Sequence, residues 1–111
     1  MPSFTIRDLE RRVQARAGES AEVSYTRKLL DRGVEQCAKK FGEEAVEAAL
    51  AAVGDDRQAL VGEAADVLYH LFVLLHARGV SLDEVEVELG TRSRQSGLEE
   101  KAARKKTETR G

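Results

Sequence analysis

Residues 42–77 read GEEAVEAALAAVGDDRQALVGEAADVLYHLFVLLHA, and this stretch decides the fold. Apolar and small residues recur at steps of three and four as far as Val53, break at Gly54, Asp55 and Asp56, and resume from Arg57. Two helices joined by so short a turn lie antiparallel and side by side. The spacing predicts one helix over about 34–53 and another over about 57–78, with Asp55 or Asp56 capping the second.

Each helix carries two acids three residues apart, Glu44 and Glu47 on the first, Glu63 and Asp66 on the second. Each pair therefore shares one helix face. Positions 44 and 66 are equidistant from residue 55, and so are 47 and 63, so Glu44 stands level with Asp66 and Glu47 with Glu63. At ~1.5 Å rise per residue the two levels differ by roughly 4.5 Å, and contacting helix axes lie ~8–10 Å apart. Four carboxylates in one such groove repel unless they take up protons, splay apart or hold cations. Asp66 adds to the cost, because it interrupts an otherwise apolar stretch. The all-oxygen donor set favours magnesium, with manganese as a substitute, over zinc. The competing reading, acids on solvated helix faces, explains either pair alone better than it explains the matched heights. Glu43, about 100° round the helix from Glu44, is read as peripheral. A di-iron centre requires Glu-x-x-His, which is absent here, since the nearest histidine, His70, lies one turn beyond Asp66. His70 reads as a core residue or as a hydrogen-bonding support for Asp66.

Working outward, Thr5 with Asp8 forms a capping box for a helix to about Ala17, ended by Gly18. A loop follows over 19–23. Ser24 caps a short helix over about 25–32, and Gly33 ends it. The apolar stripe of the third helix is taken as Val34, Ala38, Phe41, Ala45, Ala48 and Ala52. The fourth helix is apolar nearly all round from Ala64 to Ala77, which implies burial on every side and hence a second subunit. Gly79 closes it, and Ser81 with Glu84 opens a fifth helix from Leu82 to about Leu89, broken by Gly90. The expected organisation is a single domain over 1–92 and a polar basic tail over 93–111, partly disordered.

The fold class is therefore all-α, a helical bundle built on an antiparallel hairpin and completed by homodimerisation or a higher homo-oligomer. The composition agrees. With 111 residues, 5% aromatics and no Trp, the chain has little to build a core from. A net charge of -2 gives no general attraction for nucleic acid or anionic membranes. The basic tail lacks interleaved aromatics, which argues further against nucleic acid. One cysteine, Cys37, excludes an internal disulfide and a cysteine metal site. There is no signal pattern, and the longest uninterrupted apolar run, around Leu71 to Leu75, is too short to span a bilayer, so a cytoplasmic protein is expected.

Several segments, in order, carry a resemblance. Glu-x-x-Glu followed by Glu-x-x-Asp resembles the all-α MazG-type nucleoside triphosphate pyrophosphohydrolases. Ser24-Tyr25-Thr26-Arg27-Lys28-Leu29-Leu30, Lys39-Lys40-Phe41-Gly42-Glu43-Glu44-Ala45-Val46-Glu47, Glu63 to Leu71, and Arg78-Gly79-Val80-Ser81-Leu82-Asp83 narrow it to the phosphoribosyl-ATP pyrophosphohydrolases, over about residues 4–92. The resemblance implies cleavage of phosphoribosyl-ATP to phosphoribosyl-AMP and pyrophosphate, the second step of histidine biosynthesis. It also implies a homodimer with magnesium held by Glu44, Glu47, Glu63 and Asp66. The zinc signature of the next, cyclohydrolase step is absent. Paired arginines expected near the end of the last helix are not found at Leu89-Gly90-Thr91-Arg92.

The chemistry to which this points is metal-assisted attack of water between the α- and β-phosphates, with Glu44 or Glu47 as general base. No glycine-rich phosphate loop is present, so cations must serve. Lys28, Arg32, Lys39 and Lys40 are the candidate substrate-binding residues. Two alternatives stand beside this reading: a MazG-type housecleaning hydrolase of ordinary or damaged (d)NTPs, and a non-catalytic, metal-stabilised helical dimer.

Overall fold

The computed structural model describes residues 3–94 together with 97, 101, 102 and 104. Among these it contains five helices and no strand: α1 Ile6–Ala17, α2 Tyr25–Asp31, α3 Val34–Ala52, α4 Arg57–Ala77 and α5 Leu82–Arg92. The protein is all-α, as the periodicity requires. The chain divides into two compact units, residues 1–80 and 81–111. Most of the tail expected from residue 93 lies outside the described residues.

The helix starts follow the capping chemistry. Thr5 and Asp8 close a complete capping box on α1. Ser24 Oγ accepts the Arg27 N–H at the start of α2. Asp56 accepts both the Gln58 and Ala59 N–H groups at 3.0 and 3.1 Å, so it is Asp56, and not Asp55, that starts α4. Between α2 and α3, Gly33 has φ 96°, and after α4 Gly79 has φ 68°. Both values suit glycine because a Cβ is strained there.

In the first unit α3 and α4 form the hairpin and pack along their length, while α1 lies against α2 and α4. Ser24 Oγ also donates to the Arg16 carbonyl at 2.8 Å, and Arg27 Nη1 donates to the Ala17 carbonyl at 3.0 Å, which fixes the corner between α1 and α2. Cys37 Sγ donates to the Leu29 carbonyl at 3.5 Å and ties α3 to α2. Burial pushes the Cys37 thiol pKa up, so it stays an inert packing group.

Three expectations need correction. On α3, Val34, Ala38 and Ala52 are exposed, and the buried residues are Cys37 and Glu44. Alanines surround this helix, so periodicity alone does not single out the inward face. Second, α5 continues through Gly90 to Arg92. An interior glycine costs only about 1 kcal/mol, and the Arg92–Glu88 pair at 3.0 Å spans the position. Third, α4 is long and apolar enough, by length and composition alone, to cross a membrane. Counting only uninterrupted apolar residues missed this, because a helix sums hydropathy over its whole length. The same composition suits a helix packed among other helices, and Glu63 and Asp66 in its middle suit it to that.

The core of the first unit is thin. Among the described residues, Val13, Ala17, Leu29, Cys37, Phe72 and Val73 are its buried apolar side chains, whereas Val46, Leu50 and Val53 on α3 and Leu60, Val61 and Leu68 on α4 are exposed. Replacement of Asp56 by Ala is expected to destabilise the chain by about 1 kcal/mol, because two N–H groups lose their acceptor. Urea unfolding of Asp56→Ala beside Asp56→Ser checks this, and Ser is expected to recover most of the loss.

Candidate metal and active site

The hairpin brings three of the four acids together. One carboxylate oxygen from each of Glu44, Glu63 and Asp66 lies within 4.8 Å of the others. Glu47 lies on the flank of this trio. The charges of Glu44 and then Glu63 hold its carboxyl above the ordinary pKa, with shared hydrogen bonding to both adding to the effect.

The four acids differ in setting. Glu44 is only 9% exposed, occupying what would be an apolar position in an ordinary helix hairpin. Glu63 is half-buried, and its Oε2 is buried with no hydrogen-bond partner among the described residues. Asp66 and Glu47 are exposed in the single chain. The burial expected for Asp66 therefore falls on Glu44, because α4 turns the Asp66 side outward. An orphaned buried carboxylate oxygen beside two further carboxylates costs free energy unless a cation fills the gap. The donor set is hard and all-oxygen, so the residues present fit a divalent cation such as magnesium.

One of the candidate cations reaches this cluster. Lys40 Nζ stands 3.5 Å from Glu44 Oε1 and 3.9 Å from Glu43 Oε2. Its pKa is raised by the nearby Tyr25 oxygen, then by Glu44 and Glu43, which fixes it as a positive charge at neutral pH. Lys28, Arg32 and Lys39 are exposed, and no ion pair or hydrogen bond joins their side chains to the four acids. Glu43 meets the cluster only through Lys40. On α5, Arg92 pairs with Glu88.

Sequence reading gave His70 two roles, and the structure shows features of both. The ring is 6% exposed and packs edge-on against Tyr69 and Tyr25, with centroids at 4.9 and 6.5 Å. Burial lowers its pKa, while Glu44 and Asp66 pull it back up, so it stands close to both acids. The residues that the spacing argument left out are Tyr25, Thr26 and Tyr69. Thr26 Oγ1 and Tyr69 Oη share a hydrogen bond of 2.5 Å across 43 residues of sequence. No periodicity signals such a contact, although Ser24-Tyr25-Thr26 belonged to the segments that carried the resemblance.

Comparison with known proteins gives one consistent result. Residues 6–93 match the family "Phosphoribosyl-ATP pyrophosphohydrolase". Over 105 residues the chain is 63% identical to phosphoribosyl-ATP pyrophosphatase 1 of Bradyrhizobium diazoefficiens, covering 95% of this chain and 99% of the relative. It is 63% identical over 103 residues to the phosphoribosyl-ATP pyrophosphatase of Azorhizobium caulinodans, covering 93% and 94%. Phosphoribosyl-ATP pyrophosphatase 1 of Rhodopseudomonas palustris is 59% identical over 106 residues, covering 96% and 99%. With the paired acids of α3 and α4 gathered in one groove and a family match running through all five helices, this chain belongs to the phosphoribosyl-ATP pyrophosphohydrolase family.

Proposed function

We propose that this chain hydrolyses phosphoribosyl-ATP to phosphoribosyl-AMP and pyrophosphate, the second step of histidine biosynthesis, in the cytoplasm. Family membership supports the substrate. The observation that carries the chemistry is the convergence of Glu44, Glu63 and Asp66 around the unpartnered Glu63 Oε2.

In this reading Glu44, Glu47, Glu63 and Asp66 hold magnesium, or manganese in its place. When bound, the ion supplies Lewis acidity toward the phosphate oxygens and neutralises charge developing on them. The chain's own groups do the rest. Glu47 is the more exposed of the two candidate bases, which leaves it the more open to a water attacking phosphorus. Water adds to one phosphorus of the α–β anhydride, the bridging P–O bond breaks, and the proton leaves through Glu47. Lys40 sits beside Glu44 and offers a positive charge to the departing pyrophosphate. Lys28, Arg32 and Lys39 would need the bound substrate, or a second chain, to take part.

A homodimer belongs to the same reading. A core with so few buried apolar residues is marginal alone, and α3 and α4, which carry the four acids, also carry exposed apolar residues. Sedimentation is expected to give a two-chain species, and Val46→Glu with Leu68→Lys is expected to reduce it to monomer.

Two further measurements test the site. Glu63→Gln and Asp66→Asn are each expected to lower pyrophosphate release at saturating magnesium by about a hundredfold or more, the several kcal/mol of a lost cation contact. Folded variants with near wild-type turnover would sink the site. Preference for dNTPs over phosphoribosyl-ATP would instead favour a housecleaning hydrolase. Thermal stabilisation by magnesium without any hydrolysis would favour the non-catalytic dimer.

The pH dependence has a defined sign. A carboxyl whose pKa is raised on folding binds its proton more tightly in the native state, so without metal Glu47 makes the fold less stable as pH rises above the ordinary glutamate range. A bound cation favours the ionised form, so its affinity rises over the same interval. Magnesium is expected to raise the melting temperature by about 4–8 °C per kcal/mol of binding. The shift should be large at about pH 7.5 and nearly absent at about pH 4.5, read by melts with and without chelator.

A further inference from the structure

A cleft of about 230 Å³ opens where α1, α2 and α4 meet, lined by Arg12, Arg16, Val23, Tyr25, Thr26 and Tyr69, with Ser24 beneath. We propose that this cleft is the subsite for the phosphate of the substrate's phosphoribosyl group, held by Arg12 and Arg16 with a hydroxyl of the Thr26–Tyr69 pair. The inference rests on the proposed activity and goes to a question that activity leaves open, namely what separates phosphoribosyl-ATP from ATP. The phosphoribosyl group adds a ribose and a phosphate to ATP. An anion subsite away from the triphosphate would therefore bind phosphoribosyl-ATP in preference to ATP.

The cleft has the required chemistry. Arg12 and Arg16 are four residues apart, so their guanidiniums share one face of α1. Arg12 is held over the Phe4 ring at 5.3 Å, and Arg16 meets Glu19 at 3.4 Å in an exposed pair, so each keeps donors free for a phosphate. Thr26 and Tyr69 bring two hydroxyl hydrogens to one mutual hydrogen bond, which leaves one hydrogen to donate to a ligand. Burial raises the Tyr69 pKa, so the phenol stays neutral beside an anion. Ser24 Oγ is already committed to the Arg16 carbonyl and the Arg27 N–H, and it sets the corner under the cleft.

Tyr25 relates the cleft to the acid groove. It lines the cleft, meets His70 edge-on, and acts electrostatically on Lys40, which pairs with Glu44. A second cleft, lined by Arg27, Leu30, Gly33, Val34, His76 and Ala77, is comparable in size at about 240 Å³. Its guanidinium is occupied by Asp31 at 2.8 Å and by the Ala17 carbonyl, so it is the poorer anion site.

Two experiments read the subsite separately from the activity. Ribose 5-phosphate titrated into the wild-type protein is expected to shift the amide resonances of Arg12, Arg16, Thr26 and Tyr69, while ribose does not. No shift there at saturating ribose 5-phosphate would overturn the proposal. In steady-state assays Arg12→Gln and Arg16→Gln are each expected to raise KM for phosphoribosyl-ATP about tenfold, the loss of one charge-assisted hydrogen bond. Inhibition by inorganic pyrophosphate, which shares only the triphosphate end, should move less than about threefold, a small fraction of such a bond. Arg16→Lys is expected to recover part of the loss. An unchanged KM, or equal shifts for both ligands, would overturn the assignment. A wild-type enzyme that leaves phosphoribosyl-ATP intact would sink the proposed activity, and the ribose 5-phosphate titration would still judge the cleft.

Discussion

Mutual repulsion among carboxylates is the constraint around which the first unit is organised. Like charges about 4 Å apart repel by about 4 kcal/mol at an effective dielectric near 20. That exceeds the roughly 1 kcal/mol of a helix cap, yet the Gly54–Asp56 turn and the packing of α3 on α4 hold Glu44, Glu63 and Asp66 within 4.8 Å. The raised Glu47 pKa and the Lys40–Glu44 contact are the local responses to that field. A divalent cation relieves it more completely than either, and at neutral pH it does so without protonating any ligand. In the proposed reading, metal affinity and hairpin stability would be linked through the same four side chains.

Burial of Glu44 has a consequence for the core. A carboxylate at an inward position of α3 displaces an apolar residue from a chain that has few to spare, since its aromatic content is 5% and it lacks Trp. The residues that would compensate, Val46, Leu50, Val53, Leu60, Val61 and Leu68, point away from the chain's own core. Assembly with a second copy would cover them. Apolar packing and the acid cluster meet in α4, which gives Phe72 and Val73 to the core, Glu63 and Asp66 to the groove, and Tyr69 to the cleft beside α1.

His70 connects these regions. Its neutral ring fills the space between Tyr25 and Tyr69 and borders the acids, so apolar packing and the charged groove share one residue. A buried, uncharged imidazole there adds packing without adding charge to a crowded field. The tyrosines on either side both line the proposed phosphate cleft.

Much of this was legible in the sequence, and the limits are physical. Caps at Thr5, Ser24, Asp56 and Ser81 are local hydrogen-bond motifs, so they locate helix starts without knowledge of the fold. The matched heights of the acid pairs follow from the rise of the helix and a short turn, so sequence sufficed to predict their convergence. Which face of α3 turns inward was not legible, because alanines surround the helix and only packing against α2 and α4 selects Cys37 and Glu44 over Ala38 and Ala52. Lys40 was partly legible, since it stands four residues before Glu44 on one helix face, but the distance of Lys28, Arg32 and Lys39 from the acids was not, since a flexible side chain takes its place from its neighbours in space. The contact of Thr26 with Tyr69 joins positions 43 residues apart. Local chemistry and helical geometry were determined by the sequence alone, whereas the rotation of each helix about its axis, and every contact depending on it, was decided by tertiary packing.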